Sequence, residues 1–425
     1  MATTPTTVSS VWPLGSRLDP DGVLQLGGCD TRELAREFGT PAYIVAEDDL
    51  RARAQRFIAA FRSRTDDFDV HFASKSFPCT AVLRVFAEEG LACDVASGGE
   101  LHLALNAGFD PQKIHLHGNA KSEAELRHAL DAGIGDVVVD NLHELERLER
   151  LIPSGTRQRI LLRVAPGVSP DTHPKISTGG PNTKFGLNPQ DAAIAIARAH
   201  ASDRFDLDGL HMHIGSQILD LEPFRAALEV LVGLGDFRTY NLGGGLGVTY
   251  LDEQSAPEIE DYVARKVALV QEIAGPGRRI ADEPGRALVA HSTVTLYEVQ
   301  SVKRNVSTWV GVDGGMSDNL RPMLYDARYE AMVIGRPLSG PAHPGSVVHL
   351  AGKHCESSDV LIHDADLPDP RPGDLIAIPV TGAYGYAMAN NYNGQPRPPV
   401  VFVKDGTARA VTRRETYDDL TSRDL

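Results

Sequence analysis

KIHLHGNAKSEAELRHALDAGIGDVVVDNLHELERLERL, residues 113–151, contains one pattern twice over. A short apolar run of strand length (KIHLHG, 113–118; DVVVDN, 136–141) ends in polar residues and gives way to an amphipathic stretch of helical spacing (122–132; 142–151). The period changes from about 2 to about 3.6 between the two parts, which separates a strand from the helix that follows it. Working outward, the same alternation recurs at VHFAS (70–74), LACDVAS (91–97), RILLRVAP (159–166), LDGLHMHIGS (207–216), TYNLGGG (239–245) and RRIADEPGR (278–286), and all but the last lead into helical periodicity. Strands that alternate with helices form a parallel sheet with crossover connections. Eight units in about 250 residues favour a closed (β/α)8 TIM-like barrel over an open sheet. Beyond Arg286 the helical pattern largely stops, and STVTLYEVQSVKR (292–304), DLIAIPV (374–380) and PVVFVKDGTARAV (399–411) read as a mostly β C-terminal domain. The expected organisation is therefore an α/β chain with a barrel over 41–290, a β domain over 291–425, and an N-terminal segment, 1–40, that joins the β domain.

Composition narrows the function classes. Lys and Arg number 42 against 57 Asp and Glu in 425 residues, a net charge of −15, so the chain repels a phosphate backbone and non-specific nucleic-acid binding is excluded. Apolar residues at 42% and charged ones at 23% suit a large buried core. Cys29, Cys79, Cys93 and Cys355 are scattered, with no CxxC pair and no zinc-finger spacing, and read as thiols in a reducing compartment with no metal. The N-terminal stretch lacks the pattern of a secretory leader, and no run approaches 18 apolar residues. The expectation is a cytoplasmic protein without a membrane span.

Barrel enzymes place their chemistry at the C-terminal strand ends. Here those ends carry Ser74 and Lys75, Asp94 and Ser97, His117 and Asn119, Asp140 and Asn141, Arg163, His211 and His213 with Ser216, Gly243 to Gly245, and Glu283 with Gly285 and Arg286. One such residue is as readily a helix cap or a satisfied buried group. Eight sets on one face indicate a site. A lysine leaving an apolar strand is suited to Schiff-base chemistry, because burial disfavours its ammonium form. The glycine triplet and Ser216 allow backbone amides to approach an anion. An acid just past the last strand can keep a pyridine nitrogen protonated, and a flat group such as His213 can stack on the ring. These parts together describe a pyridoxal-phosphate site.

At these residues the chain resembles a known family, the fold-type III pyridoxal-phosphate-dependent decarboxylases. The resemblance runs almost the whole length, through FASKS (72–76), DVASGGEL (94–101), KFGL (184–187), GLHMHIGSQI (209–218), NLGGGLG (241–247), EPGR (283–286), DGGMSDNLRPMLYDA (313–327), CESSD (355–359), GAYGYAMANNYN (382–393) and RRETYDDL (413–420). It implies that Lys75 carries the pyridoxal 5'-phosphate, that His213 stacks on its ring and that Glu283 faces the pyridine nitrogen. Asp94, Ser216, Gly243, Gly244, Gly245, Gly285, Arg286 and Tyr384 complete the cofactor set. Arg286, Arg321 and Tyr325 would grip a distal substrate carboxylate, with Tyr384 nearby. Cys355, beside the reacting carbon, and Glu356, beside the distal amino group, would enter from the other subunit of a homodimer. The implied reaction removes the carboxylate at the D-centre of meso-2,6-diaminopimelate to give L-lysine and carbon dioxide. The alternatives are a decarboxylase of the ornithine, arginine or carboxynorspermidine type and a non-catalytic regulator of the same fold. Charge-assisted donors at Arg286, Arg321 and Tyr325 fit a distal carboxylate better than a distal cation.

Overall fold

Eight strands close into a parallel barrel: Phe68–Ala73, Ala92–Val95, Ile114–Leu116, Asp136–Val139, Gln158–Arg163, Phe205–His211, Thr239–Asn241 and Arg279–Asp282. Each pairs with its neighbour in sequence, and the last returns to the first in the register Ile280 to Phe68. These are the eight runs read from the sequence. The protein is seen here in a computed structural model that describes residues 6–168, 180, 182–336 and 346–425.

Local signals set the elements. Val137, Val138 and Val139 are buried, as strands covered on one face by helices and on the other by the barrel interior require. The helix Glu123–Ala132 starts at a capping box, in which Ser122 and Glu125 satisfy each other's backbone amides, and it stops at Gly133 in the left-handed region. The helix Leu142–Leu151 starts where the Asn141 side chain accepts from the Glu144 amide. Phe72 faces outward onto Phe86 of the helix Thr80–Glu88, with ring centroids 4.3 Å apart, while its neighbour His71 lies against His115 at 3.7 Å. The N-terminal half of the barrel is charged rather than aliphatic. Asp136 accepts from both arms of Arg159, each at 2.7 Å, and lies 2.9 Å from His115 Nε2, while Asp69 pairs with Arg279.

The chain divides into two compact units, and their limits correct the expected boundaries. The barrel unit is Arg51–Val248 with Ala256–Leu288; the other is Met1–Leu50, Thr249–Ser255 and Val289–Leu425. The strand Ala42–Ala46, placed in the barrel by the sequence reading, belongs to the β unit, where it runs antiparallel to Thr293–Arg304 and parallel to Val400–Lys404. An apolar run followed by a helix is the same sequence signal in either setting, and strand pairing decides between them. Thr249–Ser255 also leaves the barrel, since Tyr250 packs edge-on against Tyr329 at 5.5 Å. The β unit is a nine-stranded sheet whose long central strand is Thr293–Arg304, together with a four-stranded sheet from the first 30 residues. Among the described residues no helix is long and apolar enough to cross a membrane.

The Asp136 cluster gives a stability test. Burial alone would raise the pKa of this carboxyl, but contact with His115 and Arg159 holds it well below the ordinary aspartate range. Its stabilisation is therefore complete above the unfolded-state value of about 4, and it is lost as the pH falls through the lower folded-state value. Asp136→Asn should cost on the order of 3 to 5 kcal/mol at pH 7, as expected for breaking a buried pair. In urea unfolding, the gap between wild type and variant should narrow below about pH 4. An equal gap at pH 7 and pH 3 would show that the charge is not what stabilises the barrel.

Candidate active site

The C-terminal strand ends of the barrel converge on Glu283. Its carboxylate is buried, and Oε1 lies 2.9 Å from His117 Nε2 and 2.6 Å from the Asn241 amide nitrogen, while Oε2 lies 3.1 Å from His211 Nε2. Third, sixth, seventh and eighth strands each supply one member of this group. Burial pushes both histidines below their ordinary pKa, and each turns Nε2 to the carboxylate. Burial alone would raise Glu283, but His117 and His211 draw its pKa well below the usual carboxylate range. The acid is therefore ionised, and three donors leave one of its roughly four lone-pair sites open to a further N–H. Asp94, also buried, lies 3.7 Å from His117; burial and then the Glu283 charge raise its pKa, against His117 and Lys75.

Lys75 occupies the 3-10 turn Ser74–Ser76 directly after the first strand. The sequence reading expected burial of this ammonium, but the side chain is exposed because the turn lifts it off the strand. The turn itself is fixed: Ser74 Oγ donates to Glu100 at 2.7 Å, and Glu100 also accepts from the Ala96 amide at 2.8 Å. Gly285 packs against it so closely that an added Cβ would lie 3.1 Å from both Ala73 Cβ and Ser76 Oγ. This contact and the bond from the Ala73 amide to the Pro284 carbonyl at 3.1 Å set the EPGR loop beside the lysine turn. His213 is half-buried, and burial followed by the charges of Lys75 and Arg163 holds its pKa well below the ordinary value, so its ring is neutral.

The glycine turn lies on the other side of Glu283. Gly243 has φ +61°, and its amide donates to Asn241 Oδ1 at 2.9 Å, so a single asparagine side chain holds both the turn and the carboxylate. A Cβ on Gly244 would come within 2.0 Å of the Glu283 carbonyl, so only glycine permits this approach. The amides of Gly244 and Gly245 donate to no protein acceptor among the described residues. Arg286 Nη2 donates to Ser216 Oγ at 2.9 Å. Two unclaimed amides, a hydroxyl and a guanidinium are a donor set for a phosphate, and together with an ionised acid and an amine they fit pyridoxal phosphate. The ligand atoms of His115, His117 and Glu283 come within 4.8 Å of one another, and two of the three residues, His117 and Glu283, are already bonded to each other.

The remaining residues singled out from the sequence lie in the β unit. Arg321 is buried, with its guanidinium 4.9 Å from the Tyr250 ring and bonded to the Tyr329 hydroxyl. Burial opposes its charge, yet Tyr250, Tyr329 and Tyr384 raise its pKa above the ordinary arginine value. Tyr325 ends the same short helix, Arg321–Tyr325, and Tyr384 has φ +68°. Cys355 and Glu356 are exposed on a loop that is nevertheless pinned. Asp359 accepts from the Met316 amide at 2.7 Å and from the His354 amide and Nδ1 at 2.9 and 2.8 Å, and the Cys355 amide donates to Asn393. Sequence reasoning noticed His117 and His211 as polar strand ends but gave them no role, and it left Asn241 inside a motif. His211 and Asn241 end adjacent strands and His117 ends the third, so a polar type at the same end of the barrel was the available signal.

Asn241 is fully buried and has two bonds to lose. Asn241→Ala should cost roughly 3 to 5 kcal/mol in urea unfolding of the chain without cofactor, since a buried amide and a buried carboxylate each lose a partner. A loss under about 1 kcal/mol would mean that neither bond matters to the fold.

Comparison with known proteins agrees with this geometry. The family model described as pyridoxal-dependent decarboxylase, pyridoxal binding domain, matches residues 47–290. The diaminopimelate decarboxylase of Mycobacterium tuberculosis is 43% identical over 97% of both chains. That of Bacillus subtilis is 44% identical over 96% of this chain and 97% of its own. The crystal structure of diaminopimelate decarboxylase from Helicobacter pylori complexed with L-lysine matches with a TM-score of 0.85 at 34% identity, covering 92% of this chain and 98% of that one. The enzyme from M. jannaschii in co-complex with L-lysine gives 0.89 at 34%, covering 96% of each. Barrel, strand-end chemistry and near full-length identity lead to one assignment: the chain belongs to the pyridoxal-dependent decarboxylases, within the diaminopimelate decarboxylase family.

Proposed function

We propose that the chain is a carboxy-lyase that uses pyridoxal 5'-phosphate to decarboxylate meso-2,6-diaminopimelate at its D-centre, giving L-lysine and carbon dioxide as the last step of lysine biosynthesis. The observation that carries this reading is Glu283, a buried carboxylate kept ionised by three donors beside the Lys75 turn. When bound, the cofactor supplies an electron-accepting ring conjugated to the bond that breaks. Lys75 provides the amine that attaches it, and Glu283 keeps the ring nitrogen protonated. His213 presents a neutral flat face, and Ser216, Arg286 and the amides of Gly244 and Gly245 take the phosphate. Asp94 supports His117 and, through it, Glu283.

On the substrate side, Arg321 and Tyr325 with Arg286 bind the distal carboxylate, for which a guanidinium fork is the best-matched donor. Glu356 answers the distal ammonium, and Cys355 moves the proton at the reacting carbon, with Tyr384 nearby. Cys355 and Glu356, the first two residues of CESSD, serve a neighbouring subunit's site in a homodimer; an exposed loop held in place by Asp359 supports this. The four cysteines form no disulfide, which supports a reducing, cytoplasmic setting.

A product assay tests the reaction. The chain loaded with cofactor should release L-lysine from meso-diaminopimelate, with ornithine, arginine and the L,L-isomer at least about a hundredfold poorer in kcat/KM. Lys75→Ala should neither turn over nor retain cofactor after borohydride reduction. Preference for ornithine would overturn the substrate but leave the cofactor in place. Subunit sharing is tested by mixing inactive Lys75→Ala and Glu356→Ala chains under exchange conditions. Random assortment makes half the dimers hybrids with one good site of two, so activity should recover to about a quarter of wild type. Hybrids confirmed by mass but inactive would place each site within one chain.

A further inference from the structure

The helix Ile259–Ile273 turns Tyr262, Val263, Lys266, Val267 and Val270 inward, so a lysine stands in an otherwise apolar stripe. Lys266 is fully buried. Its Nζ donates to the Gly243 carbonyl at 2.8 Å and to the Leu242 carbonyl at 3.4 Å, and it is ion-paired with Asp282. These contacts take up all three ammonium donors. The rings of Phe224 and Tyr262 lie 4.5 and 4.3 Å from Nζ, and the Tyr262 hydroxyl donates to Asp282 at 3.1 Å.

A buried ion pair is a poor way to gain stability, since apolar residues of similar volume often serve as well. What distinguishes this one is the backbone it holds. The Gly243 carbonyl accepts from Lys266 and also from the Glu283 amide at 3.3 Å. Asp282 directly precedes Glu283 at the end of the eighth strand. The ammonium thus clamps the glycine turn after the seventh strand to the end of the eighth, just where the Gly244 and Gly245 amides have no protein acceptor among the described residues.

We propose that Lys266 is a positioning residue for the cofactor's phosphate: by holding the Gly243 carbonyl and Asp282 from beneath, it aims the Gly244 and Gly245 amides into the site. The proposal rests on the pyridoxal-phosphate reading above. A clamp on the phosphate turn affects ligands that carry a phosphate more than ligands that lack one.

Equilibrium dialysis of the full chain, freed of cofactor, against pyridoxal 5'-phosphate and in parallel against pyridoxal separates the two cases. Lys266→Met/Asp282→Asn removes both charges with little change in volume and leaves no unpaired buried ion. Its Kd for pyridoxal phosphate should rise about ten- to a hundredfold, while that for pyridoxal stays within about threefold. Lys266→Gln, whose shorter amide falls short of the Gly243 carbonyl, is read in the same way should the double variant not fold. Lys266→Arg, which keeps donors at this position, should restore most of the preference for the phosphorylated form. Equal weakening toward both ligands, or no change toward either, overturns the role of Lys266 while the cofactor reading stands. A wild type that binds neither ligand overturns the cofactor reading and this proposal with it.

Discussion

A carboxylate as buried as Glu283 stays ionised only if donors replace the water it has lost, and the upper barrel is arranged around that requirement. Four strands must end at the same height for His117, His211, Asn241 and Glu283 to meet. Parallel closure ensures this, because it points every strand's C-terminal end the same way. Hydrogen bonds from two imidazoles and one side-chain amide converge on the acid, so three protein donors take the place of water around its charge.

The β unit solves a different problem, that of presenting polar side chains on loops without losing their geometry. Arg321 is fixed by aromatic faces and one hydroxyl, and among the described residues no carboxylate takes up its donors. Asp359 fixes the Cys355 loop by collecting two backbone amides and an imidazole, so exposure there does not mean looseness.

The strand runs from 70 to 286 were legible because each changes from a two-residue to a helical period within a few residues, and the pairing order then follows from parallel closure. Ala42–Ala46 was misplaced because a fully buried strand has no alternation to show which sheet it enters. In the site, Lys75, His213 and Glu283 stood out as chemistry-bearing types at strand ends. The partners of Glu283 were visible there as well, but a hydrogen bond spanning 166 residues, as between His117 and Glu283, has no local signature. Lys266 did carry one, a lone cation in an apolar helical stripe. The exposure of Lys75 could not be read, because it depends on a three-residue turn and not on the strand.

The charged belt in the lower barrel bears on how the fold assembles. Asp136 and Arg159 on adjacent strands are 23 residues apart, whereas Asp69 and Arg279, which join the last strand to the first, are separated by 210. Loop-closure entropy grows with the logarithm of that distance, so the final seam costs about 2 kcal/mol more to bring together than the neighbouring one. Until it forms, the first and last strands each present an unpaired edge, the kind of surface that templates aggregation. Asp69 and Arg279 place opposite charges on those two edges, which discourages each from pairing with its own copy and favours the one partner that closes the ring.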